Sequence, residues 1–351
     1  MSRGSLDGPS VVAVVAAAIA RRVLLVVSLY LQSAGAIATI PSSERDNLVA
    51  IFTQTNGNAW KTQAGWNGPI GTECAWYGVS CDGSNLHVTG ISLDANNLTG
   101  SLPSLVELPQ LDTFVVGSPS NCISSSRNRI DGNLPSLESL PHLVDFEASC
   151  NLFSGSLPSL ISNTKLGTFY AYGNMLTGTI PTISTLPELA YFDVRDNSLS
   201  GNVPELANLQ NLVTFDVVGN QLSGPIPTLN GLVKLRYFFV TRNHLVGPIP
   251  ELRDLQQLVD FYVDDNQLTG SIPPLSQLAN LEFLVLGHNA LSGVLPDPPP
   301  NLLGANVCPN QFPASSYVDS ASWDALTQVT PWYLPCDHVF AGDFELGIGV
   351  P

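Results

Sequence analysis

Charge is scarce in this chain, and basic charge is scarcest. Of 351 residues 12% are charged, with 13 Lys and Arg against 29 Asp and Glu, a formal net charge of −16. Nucleic acids and anionic membrane surfaces are bound through clustered Lys and Arg, so this balance argues against both as partners. Uninterrupted apolar runs are short. Val11–Ala20 spans ten residues and Val23–Leu31 nine, with Arg21 and Arg22 between them, where a bilayer crossing needs about 20. No Cys-x-x-Cys pair occurs and the five His are dispersed, so no metal or cofactor is expected. No Gly-x-Ser-x-Gly nucleophile elbow occurs either. What the chain does have is turn-forming residues, 29 Gly and 27 Pro, in a globular rather than a disordered composition.

Those turns fall at a fixed period. Asn recurs at Asn128, Asn151, Asn174, Asn197, Asn220, Asn243, Asn266 and Asn289, always at the same step, and Asn96 opens the series one longer step before Asn128. A fixed period of about 23 residues marks a solenoid, and L-x-x-F-x-V-x-x-N-x-L, as at Leu212–Leu222, is the leucine-rich repeat pattern. Leu212, Phe215, Val217 and Leu222 cannot be buried within one turn, so successive turns must stack to make a core. Phe215 and Val217 alternate with Asp216 and Val218, which predicts a short strand in each turn. The strands are expected to pair in parallel. Phe114, Phe146, Phe169, Phe192, Phe215, Phe238 and Phe261 then form an aromatic spine. Each Asn amide is expected to bond backbone groups where the chain leaves the strand. The fold class is therefore an α/β-type repeat solenoid, with a parallel strand ladder on its concave face and a mostly irregular convex side.

The organisation along the chain follows. Residues 1–38 read as an export signal: Arg21-Arg22, the run Val23–Leu31, then Ala36-Ile37-Ala38 before Thr39. An uncleaved membrane anchor is the alternative. Cleavage removes Arg3, Arg21, Arg22 and Asp7, leaving 10 basic and 28 acidic residues, or −18. Residues 39–88 form a first cap, with a capping signature at Ser43-Glu44-Arg45-Asp46 ahead of a short amphipathic helix. Nine repeats fill 89–303, interrupted by an insertion at 117–126. A second cap spans 304–336 and an acidic tail 337–351. An even set of six Cys in an exported chain predicts three disulfides, and proximity favours Cys74–Cys81, Cys122–Cys150 and Cys308–Cys336.

Trp66 followed by Cys74-x-Trp76-x-Gly78-Val79-x-Cys81 resembles the N-terminal cap of plant-type extracellular leucine-rich repeat proteins. The repeats carry that family's second signature, L-x-G-x-[ILV]-P, as LTGSLP at 98–103, LTGTIP at 176–181, LSGPIP at 222–227 and LTGSIP at 268–273. The resemblance covers about Ser42 to Leu303. It implies recognition of a protein, peptide or glycan, as in receptor ectodomains and polygalacturonase inhibitors. The repeat here is shorter by a single position than is usual in that family.

The outward strand positions are the candidate binding residues. Tyr170, Tyr172, Tyr191, Asp193, Arg195 and Asp216 make one expected patch. Tyr237, Phe239, Asp260, Tyr262, Asp264 and Phe283 make a second. Exposed aromatics beside acids suit recognition, because aromatic rings supply contact area at low entropic cost. The plainer alternative is that Tyr, Phe and Asp simply suit strands and solvent. One column on, Arg242, Asp265 and His288 read as a surface charge ladder. Asp–His adjacency there lacks a nucleophile, because the preceding turn offers Gly219. The chain is thus expected to be a secreted or cell-surface recognition protein, not an enzyme. A structural spacer without a specific ligand is the alternative.

Overall fold

The structure, a computed structural model, describes residues 39–118, 122, 127–313 and 323. The expected export signal, the acidic tail, most of the second cap and the Cys336 end of the third disulfide lie outside them.

Eleven strands form one long sheet, from Val79–Cys81 and Val88–Ser92 through Thr113–Val115, Asp145–Glu147, Thr168–Tyr170, Tyr191–Asp193, Thr214–Asp216, Tyr237–Phe239, Asp260–Tyr262 and Phe283–Val285 to Gly304–Asn306. The first pair is antiparallel and the rest are parallel. Each repeat adds one strand in the same register, so Phe192 pairs with Phe169 on one side and Phe215 on the other. The spine follows from that register. Seven buried phenylalanine rings stack with centroids 5.2–5.8 Å apart, from Phe114 to Phe261.

The asparagine ladder supplies the hydrogen bonds that the turns leave open. Asn220 Oδ1 accepts from the Leu199 N–H at 2.9 Å, and its Nδ2 donates to the carbonyls of Val194, Val217 and Val218 at 3.0–3.3 Å. One amide therefore ties two turns together, and no apolar residue can replace it without orphaning buried backbone groups. Asn96 differs: its amide bonds both backbone groups of Thr62, which joins the ladder to the cap. Asn310 continues the ladder past Asn289, accepting from the Leu291 N–H at 2.9 Å and donating to the carbonyls of Leu286 and Val307. Its step from Asn289 is shorter than the others in the series, which hides it from a search at fixed period.

The far side is more regular than the sequence alone indicates. Seven further strands, from Ser154–Ser156 to Ala290–Leu291, form a second parallel sheet, and Thr99–Ser101 pairs with Arg129–Asp131. These strands are the L-x-G-x-[ILV]-P segments. Their glycine is required: Gly224 sits at φ +73°, and a Cβ there would lie 2.4 Å from Asn202 Oδ1. Buried leucines between the two sheets, such as Leu206, Leu209, Leu212 and Leu222, close the core.

A helix at Ser42–Gln54 begins the cap. The expected side-chain cap is absent; Pro41 precedes the helix without a capping hydrogen bond. Glu44 is used elsewhere, with Oε1 on His87 Nδ1 at 2.6 Å and Oε2 accepting from the Val88 N–H at 2.7 Å. It thereby anchors the helix to the second strand of the sheet. Phe52, Trp60, Trp66 and Trp76 are buried and pack ring to ring at 4.9–5.9 Å. All three indole N–H groups find acceptors, on Thr55 O, Tyr77 O and Thr72 Oγ1. These tryptophans are thus lid, with their N–H groups already committed. Cys74 bonds Cys81 beside them, and Cys122 bonds Cys150 at the insertion.

Candidate functional site

The site is built by register. Glu147, Tyr170, Asp193, Asp216, Phe239 and Tyr262 stand side by side on successive strands. Their alternation with the buried Phe column turns them to the opposite face of the sheet. Asp216 and Phe239 are register partners, so the two patches expected from the sequence are one continuous surface.

Exposure differs from the expectation. Tyr170, Tyr191, Arg195, Tyr237, Asp260, Tyr262, Asp264 and Phe283 are partly exposed. Tyr172, Asp193, Asp216 and Phe239 are buried, at 6%, 5%, 0% and 1% exposure. Large neighbours in two dimensions account for this. The Arg195 guanidinium lies 4.1 Å over the Tyr172 ring and bonds both Asp193 and Asp216, the latter at 3.2 Å. The Tyr172 hydroxyl donates to the Ser118 carbonyl at 3.0 Å. Phe239 packs against Tyr262 at 4.9 Å and Tyr237 at 6.2 Å.

The electrostatics are unusual for a strand surface. Burial raises Asp193 well above the ordinary carboxylate range, and neighbouring Asp216 raises it further. Burial also lifts Asp216 to about 6, against the lowering pull of Arg195. Glu147 is pushed up to about 7, again chiefly by burial. Glu147 stands in the same register column as Asp193 and Asp216, outside both expected patches, and the repeat period alone aligns it with them. Its Oε1 accepts from the Ser149 N–H at 2.8 Å, while its Oε2 is buried with no hydrogen-bond partner among the described residues. At the other end of the surface Asp260 rises to about 6 through burial and the Glu282 charge. Asp264 accepts from the Thr241 hydroxyl at 2.5 Å.

Arg242, Asp265 and His288 are exposed, as a surface charge ladder requires, but their pairing is uneven. Arg242 does not pair with Asp265; its guanidinium reaches Asp196 at 3.3 Å, two turns back. Gly219 lies between them and has no side chain to block the span. His288 and Asp265 form their own exposed pair at 3.4 Å. Among the described residues no group of three or more His, Cys, Asp or Glu could hold a metal ion, and no helix is long and apolar enough to cross a membrane.

Comparison with known proteins follows the same lines. The Leucine Rich Repeat family model matches residues 280–302. A sequence comparison with curated proteins finds no match. Among solved structures, the PEPR1–AtPEP1 complex is 25% identical, with 78% of this chain and 42% of that chain covered at a TM-score of 0.64. The ectodomain of the Arabidopsis receptor kinase HAESA, in complex with an extended IDA peptide hormone, is 27% identical, covering 77% and 50% at a TM-score of 0.56. The chain thus spans half or less of the length of these two. A plant ice-binding protein, 20% identical, covers 74% and 91% at a TM-score of 0.53, a likeness in fold alone. In its repeats, cap and fold the chain is thus similar to the leucine-rich repeat ectodomains of plant receptors.

Proposed function

We propose that this chain is an exported recognition protein, not an enzyme, and that it binds a protein or peptide across the strand face from Tyr170 to Phe283. The observation that carries this reading is the Asp193–Arg195–Asp216 group, buried beside partly exposed tyrosines at the middle of the ladder. Buried ion pairs give little net stability compared with apolar packing, and strongly perturbed acids concentrate at functional sites. A spacer would gain more from Val or Thr at these positions. The HAESA complex, whose ligand is named a peptide hormone, supports a peptide-sized ligand by analogy. The Cys74–Cys81 and Cys122–Cys150 disulfides suit an oxidising compartment. Catalysis by the acids is disfavoured by placement: Asp193 and Asp216 are neighbours on one sheet, not opposed across a cleft.

The test is affinity capture from cell-envelope, culture-medium and host extracts, comparing the full chain with Tyr170→Ala/Tyr191→Ala. Both tyrosines are partly exposed, so the variant is expected to keep its fold. A partner held by the wild type and reduced about tenfold or more on the variant is the expected result. A partner held equally by both moves the site off this face.

A further inference from the structure

Aromatic rings on the strand face are not spread evenly. The column just before the buried phenylalanines reads Thr168, Tyr191, Thr214, Tyr237, Asp260, Phe283 and Gly304 on successive strands in register. A large ring therefore alternates with a short side chain, or none, at each step. Tyr191, Tyr237 and Phe283 are partly exposed, whereas Thr214 between the first two is only 8% exposed. The rings are ridges, and the residues between them are the floors of slots. Tyr237 is steadied by Phe239 at 6.2 Å and by the Arg236 guanidinium at 5.4 Å.

The spacing of the ridges selects a ligand conformation. Neighbouring strands lie about 4.7–4.9 Å apart, so ridges two strands apart repeat every 9.4–9.8 Å or so along the ladder. A ligand lying along the ladder must repeat its side chains at that distance. An extended strand repeats the side chains of one face about every 6.6–6.8 Å, and an α-helix turns every 5.4 Å or so. Neither fits. A polyproline II helix advances about 3.1 Å per residue and closes a turn in three, about 9.3 Å. Proline-rich segments in that conformation dock between aromatic side chains, at low entropic cost because the helix is already formed. Charge fits as well. Asp260 floors the slot between Tyr237 and Phe283, and Glu282 is exposed next to Phe283 in the chain. The chain as a whole, at −16, favours a basic partner by long-range attraction.

We infer that the ridges Tyr191, Tyr237 and Phe283 take a basic, proline-rich peptide segment in the polyproline II conformation, lying along the ladder across the strands. This rests on the strand-face reading and names the chemistry of its ligand. One pair of prolines fills the slot floored by Thr214, between Tyr191 and Tyr237. The pair one turn on fills the slot floored by Asp260, between Tyr237 and Phe283. The third residue of each turn points to solvent, where a Lys or Arg meets the charge of Glu282 at the rim.

The experiment is calorimetric titration of the full chain with synthetic peptides of equal length, built from repeated Pro-Pro-Lys, Gly-Gly-Lys or Pro-Pro-Glu triplets. The Pro-Pro-Lys peptide is expected to bind about tenfold or more tightly than Gly-Gly-Lys, which has the same charge but no preformed helix. Pro-Pro-Glu is expected to bind several-fold more weakly than Pro-Pro-Lys. Tyr237→Ala removes the ridge shared by both slots and should weaken Pro-Pro-Lys about tenfold or more. Thr214→Tyr leaves every ridge in place but fills one slot, and should weaken the same peptide. If Thr214→Tyr loses its cooperative unfolding, Tyr237→Ala decides, because that ring is partly exposed. Equal binding of the Pro-Pro-Lys and Gly-Gly-Lys peptides, no binding of either, or Pro-Pro-Lys binding that Tyr237→Ala leaves unchanged overturns the inference. The strand-face reading is judged separately, on the partner captured from extracts. If that partner depends on Tyr170 and Tyr191 while the proline peptides fail, the face stands and its ligand has another conformation. If that partner ignores both tyrosines and the proline peptides fail, both readings fall.

Discussion

Phe215→Ala is expected to lower stability by about 3–5 kcal/mol, the usual range for emptying a fully buried phenylalanine site. Phe215 is fully buried and stacks on Phe192 at 5.6 Å and on Phe238 at 5.7 Å. The cavity cannot be refilled from the sides, because the in-register strands hold both neighbours at the ladder spacing. The consequence also differs from that in a globular core. In a solenoid each turn is stabilised mainly by its neighbours, so weakening one interface uncouples what lies on either side. Denaturant unfolding of Phe215→Ala should show a lower midpoint and a broader or split transition. A single transition shifted by less than about 1 kcal/mol would mean that the spine is not what couples the turns.

The second large effect is in pH. Glu147 is raised from 4.5 to about 7 in the folded chain, chiefly by burial. Between those values the unfolded chain has already released the proton that the folded chain still holds. Folding then takes up a proton, so stability falls as pH rises through this window and the loss is complete above about pH 7. A shift of that size corresponds to about 3 kcal/mol. Asp216, raised to about 6 by burial, acts with the same sign. Glu147→Gln should therefore be more stable than the wild type at about pH 8 and close to it at about pH 4. Denaturant midpoints at the two pH values test this. A wild type that gains stability from about pH 4.5 to about 7, as proteins with salt-bridged carboxylates do, would contradict it.

Much of the fold can be read from periodicity alone. The evenly spaced Asn and Phe series specify one strand per turn, its register and its buried face, because each turn can bury its apolar residues only against the next. Asn310 escapes the same reading because its step shortens where the strand Gly304–Asn306 ends the sheet. The second sheet escapes because its strands have no apolar alternation; they are held by the glycine at positive φ and by backbone pairing between turns. The face of the site is legible, but exposure is not. Alternation says that Asp193 and Asp216 point away from the phenylalanines, and it cannot say that Arg195 and the tyrosines bury them. Arg242 shows the same limit: sequence proximity favours Asp265, while the absent side chain at Gly219 lets it reach Asp196.

The central claim is that this protein recognises its partner through the long sheet and not through the second one. It is tested most directly by measuring the affinity of a captured partner for three full-length chains. These are the wild type, Tyr191→Ala/Tyr237→Ala on the strand face, and Thr177→Ala/Thr269→Ala on the exposed side of the second sheet. The account predicts a loss of about tenfold or more for the tyrosine variant and near-unchanged affinity for the threonine variant. The reverse pattern would place recognition on the second sheet and contradict it.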